Sequence, residues 1–153
     1  MLEKPSAARV IFEAGLMAGV LDITYVIVFF GFSGVPAERI LKGIAAAVLG
    51  RAAALQGGWG VAALGLGIHL YVALSAAAVF YALSRRLTFL TGHALLSGVG
   101  YGVLVWFVMN LVVLPLTATP PKSFPPPQWV AVFIAHLVCV GPPIALVVRR
   151  HAK

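Results

Sequence analysis

Four apolar runs, each about as long as a bilayer is thick, follow one another along this chain and leave it few ways to fold. A helix rises about 1.5 Å per residue, so about 20 apolar residues cross a hydrocarbon core roughly 30 Å thick. A chain of 153 residues that is 61% hydrophobic and 10% charged, with a mean hydropathy of +1.03, has room for four such spans and short connections. Those values lie far from the soluble average. The expectation is therefore an all-α integral membrane four-helix bundle, one membrane domain over residues 1–153, with spans at about 10–32, 59–84, 94–116 and 129–148.

A net charge of +7 would point to nucleic acid in a soluble protein, but here the basic residues cluster at the ends of the apolar runs. Topology accounts for them, and no nucleic-acid partner is expected. Lys4 and Arg9 precede the first span, Arg85 and Arg86 follow the second, and Arg149, Arg150 and Lys153 follow the fourth. The positive-inside rule then places both termini and the central loop in the cytoplasm. The first run is longer than the apolar core of a signal peptide and lacks a clear small-residue cleavage site, so it reads as a permanent span. The single cysteine, Cys139, excludes an intramolecular disulfide and reads as a packed, inert thiol.

Between the first two spans, Pro36 to Leu55 repeats Ile40, Ile44, Val48, Ala52 and Leu55 at helical spacing, with Glu38, Arg39 and Lys42 on another side. This predicts an amphipathic helix along the outer membrane surface. Arg51 falls on its apolar face, where it either snorkels to lipid phosphate or acts as a gate over the bundle interior. Pro120, Pro121, Pro125, Pro126 and Pro127 predict a stiff, extended loop before Trp129 anchors the fourth span. Within that span, Gly141-Pro142-Pro143 removes backbone donors and predicts a kink.

Each apolar run carries one strongly polar residue near its middle: Asp22, His69, Asn110 and His136. Such a side chain costs several kcal/mol at that depth unless it finds partners. Counted from the span midpoints, Asp22 lies at about the midplane, His69 and His136 about 4 Å outward and Asn110 about 7 Å outward. One shared cluster explains four such residues more economically than four separate defects. Gly15, Gly19 and Asp22 share one helix face, and Ala62, Gly65, His69 and Ala73 another, so both faces are expected to turn inward. Gly98, Gly100 and Gly102 read as a close-packing surface.

The cluster reads as a ligand- or ion-binding site for a proton, a cation or a small polar solute, with Asp22 as acceptor, His69 and His136 as titratable partners and Asn110 orienting a ligand. No cofactor is required by this reading. Two other readings stand beside it: His69 and His136 as axial ligands of haem b, or joined with Asp22 around a metal; and interhelical glue in an accessory subunit or homo-oligomer. Ser75 and Ser97 lack a nucleophile elbow and no phosphate loop is present, so no enzyme is expected. His93 and His151 are expected at the interfaces, in water.

Gly15-Leu16-Met17-Ala18-Gly19 before Asp22, Leu64-Gly65 to His69, Met109-Asn110 before Val113-Leu114-Pro115-Leu116, and His136 before Gly141-Pro142-Pro143-Ile144-Ala145 resemble a group of small four-span proteins of the bacterial inner membrane. That resemblance covers nearly the whole chain. It implies the membrane setting and the four-span architecture, and nothing about substrate.

Overall fold

The structure, a computed structural model, describes residues 5–119 and 126–152. The described residues are helical and contain no strand. Four helices are long and apolar enough to cross a membrane: Ala7–Gly31, Trp59–Ser84, Ala94–Leu116 and Pro127–Ala152. The fourth extends about a turn beyond the expected span at its C-terminal end, taking in Arg149 and Arg150. Most of the expected proline loop, residues 120–125, lies outside the described residues, as do Lys4 and Lys153.

Helix α1 (Ala7–Gly31) starts where the Ser6 side chain accepts a hydrogen bond from the Arg9 amide, so a side-chain cap sets its beginning. The expected single helix from Pro36 to Leu55 is two helices, α2 (Ala37–Leu49) and α3 (Arg51–Gln56). Gly50, at φ 78°, breaks them in a conformation that side chains disfavour. The break overturns the azimuth assigned to Arg51, because helical periodicity does not carry across it. Arg51 is exposed at the start of α3.

Helix α4 (Trp59–Ser84) packs against both α1 and α2. Toward α1 the contact is made by glycines: a Cβ on Gly15 would stand 2.7 Å from the Leu74 Cα, and one on Gly19 2.9 Å from a Leu70 methyl. Toward α2 it is made by Gly65, whose missing side chain leaves room for the Leu41 carbonyl. The face Ala62, Gly65, His69 and Ala73 is therefore divided. Its N-terminal part receives α2, and of these four residues His69 and Ala73 reach Gly19 on α1. Along α2 the packed residues are Leu41 and Ala45 rather than the stripe through Val48, which is exposed.

After the short α5 (Phe89–Gly92), α6 (Ala94–Val108) continues through a wide turn, Met109–Val113, and a tight one, Leu114–Leu116. The fourth span is α7 (Pro126–Ala135), a second wide turn, His136–Val140, and α8 (Gly141–Ala152). Both wide turns end at a residue that precedes proline. Leu114 precedes Pro115 and Gly141 precedes Pro142, and in each case the residue before proline donates its amide five residues back, to Met109 and to His136 respectively. The double proline thus directly follows a widened turn.

Helices α6 and α8 meet backbone to backbone. Gly98 faces the Pro142 backbone, and Gly102 faces the carbonyl of His136 at a distance that admits no Cβ. Gly100, on the same helix, faces open space, so the expected glycine surface consists of Gly98 and Gly102 alone. Beside this contact Phe80 packs edge-on to Tyr101, whose hydroxyl donates to the Ala76 carbonyl at 2.7 Å. Near the start of α1, His151 Nε2 lies 2.8 Å from a Glu13 carboxylate oxygen, and Glu13 also accepts from Arg9. His151, expected in water, is instead held between α8 and α1 with its side chain 17% exposed. Arg85 lies at this same end, beside Pro5 and His151, so ends of α1, α4 and α8 that carry basic residues gather together.

Candidate functional site

Asp22 sits on the inward face of α1, one turn beyond Gly19, and is 8% exposed. Its Oδ1 atom is buried and has no hydrogen-bond partner among the described residues. Burying a polar atom without a partner costs about 1–3 kcal/mol, and more when it is charged. Such atoms are unusual in folded proteins, which makes Asp22 the most distinctive group of the candidate site.

His69 on α4 is the nearest polar group. Its Nε2 lies 2.9 Å from the Gly19 carbonyl and 3.8 Å from Asp22 Oδ2. A carbonyl only accepts, so Nε2 carries a hydrogen and donates it to Gly19. The second distance is too long for a hydrogen bond, yet short for a charge interaction if the ring is protonated. Gly19 makes this possible twice: it lets α4 approach and it offers its own carbonyl.

His136 stands at the start of the wide turn that packs against α1. It is within electrostatic reach of Asp22, as is Cys139 in the same turn. His136 Nδ1 donates to the Val132 carbonyl at 2.9 Å, which leaves Nε2 as its open nitrogen. The half-buried Cys139 was read from the sequence as inert packing. The signal that could have found it is spacing, since three residues past His136 it falls on the same helix face.

Asn110 stands apart. It donates to the Trp106 carbonyl one turn back at 2.8 Å and makes no hydrogen bond to Asp22, His69 or His136 among the described residues. Trp106 is itself packed edge-on against Trp129 and Phe133. The structure thus joins Asp22 closely with His69, brings His136 and Cys139 near, and leaves Asn110 and Arg51 out of that contact. Among the described residues no three His, Cys, Asp or Glu side chains converge as a metal-binding group, so Asp22, His69 and His136 do not form the ligand set considered from sequence.

The fold and this geometry describe a chain with four membrane-length apolar helices and a buried carboxylate where three of them meet. The chain matches none of the protein families, curated proteins or solved structures with which it was compared.

Proposed function

We propose that this chain is a multi-pass protein of the bacterial inner membrane that binds or conducts a proton, cation or small polar solute at Asp22, with His69 as its immediate partner and His136 beside it. The observation that carries this reading is Asp22 Oδ1, buried and unpartnered in a helix of membrane-spanning length. Ionisable groups in that position are costly and mark ion or proton sites. Histidine beside them suits proton exchange, because its charge changes near neutral pH.

In this reading the lipid bilayer surrounds the four long helices as a bundle, and the end bearing Arg9, Arg85, Arg86, Arg149 and Arg150 faces the cytoplasm. Helix α2 covers the outer part of α4 at the opposite surface, with Glu38 and Lys42 paired toward the headgroups. Assembly into a homo-oligomer or a larger membrane complex is compatible with the apolar residues left exposed on α6. A haem b between His69 and His136 has less support: His69 Nε2 is engaged by Gly19, and α1 and α4 approach to backbone contact beside it. Soret absorbance in the purified protein would favour that alternative.

Infrared difference spectroscopy on the lipid-reconstituted protein tests the proposal directly, because the chain has only four carboxylate side chains. Stepping the pH is expected to change a carboxyl band that disappears in Asp22→Asn and shifts in His69→Gln. An Asp22→Asn spectrum identical to that of the unaltered protein would contradict it.

A further inference from the structure

The double proline takes helical donors away from main-chain oxygens in the same turn that packs against α1, the helix of Asp22. In a regular helix the carbonyls of Leu137, Val138 and Cys139 would accept from the amides of Gly141, Pro142 and Pro143. Pro142 and Pro143 have no amide hydrogen, and the Gly141 amide is turned back to His136. Slipping the register by one residue offers Leu137 and Val138 only the two prolines again, and Cys139 only Ile144. The carbonyls of Leu137 and Val138 therefore have no donor in either register, and no side-chain hydrogen bond to them is present among the described residues. In hydrocarbon, where water is scarce, such groups are expensive and are tolerated where they line a polar site.

Building on the Asp22 reading, we propose that the occupant of the site is an alkali cation, held by the Asp22 carboxylate together with main-chain carbonyls of the His136–Val140 turn. Three features converge: the unpartnered Asp22 Oδ1, the freed carbonyls, and the packing of α1 against the turn that carries them. The donor set is all oxygen with a single formal charge. That composition suits a hard monovalent ion, because a divalent one would leave an uncompensated charge inside the membrane. His69 Nε2 already spends its hydrogen on Gly19 and offers no lone pair there, which disfavours softer metals. A proton on Asp22 can satisfy one carbonyl, whereas a cation satisfies several at once. Unwound backbone carbonyls in a broken membrane helix are a recurring way of holding sodium.

The full chain in detergent, at fixed pH, is compared in sodium chloride and in choline chloride of equal ionic strength. Sodium bound at about a hundredfold excess over its dissociation constant is expected to raise the Tm by on the order of 5 °C. That rise is expected to vanish in Asp22→Asn and to shrink at least about tenfold in affinity in Pro143→Ala, which returns a donor to Cys139. Should either variant fail to fold, the unaltered protein still decides. Its infrared difference between sodium and choline is expected to contain both carboxylate and amide-carbonyl changes. Carboxylate change alone would overturn the carbonyl ligands. No Tm difference among sodium, potassium, lithium and choline salts would overturn the cation altogether. In that case a pH-responsive Asp22 band would still support Asp22 as a proton site, and its absence would remove both readings.

Discussion

Gly102→Ala should lower the thermal stability of this protein sharply, while Gly100→Ala, two residues away on the same helix, should not. The added methyl at Gly102 would overlap the His136 carbonyl, which is backbone and cannot swing aside. Helices α6 and α8 would have to separate, opening the contact that holds the wide turn in place. Overpacking typically costs about 1–3 kcal/mol, and a clash against main chain belongs at the upper end. At roughly 2–4 °C per kcal/mol for a chain of this size, the Tm should fall by about 6–12 °C. Gly100 faces open space, so alanine there should gain about 0.5–1 kcal/mol from helix propensity. Thermal denaturation of the two purified variants, side by side, checks the difference. Equal stabilities would mean that the two helices do not meet through Gly102.

His69→Leu should be the more damaging half of a two-step experiment at the site. The substitution removes the donor to the Gly19 carbonyl and the imidazole nitrogen 3.8 Å from Asp22 Oδ2. Removing one partner of a buried ionisable pair costs about 3–5 kcal/mol. Replacing Asp22 by leucine as well removes the group that suffers, so the double variant should recover to within about 1–2 kcal/mol of the unaltered protein. Replacing both members of a buried polar pair by apolar groups is often neutral or stabilising. The double-mutant cycle should give a coupling of about 1–3 kcal/mol between the two positions. Additive losses would place Asp22 and His69 in separate environments.

The long spans were legible because burial in lipid demands continuous apolar composition over a fixed length, a property of the sequence alone. The site was legible in half. Asp22 and His69 stand out because they interrupt that composition, and Gly15 and Gly19 mark the face that lets their helices approach. Asn110 interrupts it equally, yet it is satisfied within its own helix by Trp106, and polarity alone does not distinguish a residue that serves its own backbone from one that faces a neighbour. The division of the α4 face between α1 and α2 was not legible, because small residues mark close approach without naming the partner. Gly50 could have been read as a break, but apolar spacing resumes after it with the phase of an unbroken helix. The wide turns end at the residues before Pro115 and Pro142-Pro143, whose missing donors were visible in the sequence although the register was not.

The interior around Asp22 is what everything else depends on, and an experimental density map of the protein in a lipid disc, at a resolution that shows single atoms, examines it most directly. The expected map has His69 Nε2 on the Gly19 carbonyl and a non-protein atom within hydrogen-bond or ligand distance of Asp22 Oδ1. A map in which one of the chain's own side chains donates directly to Oδ1, with no added atom there, would contradict the proposed site.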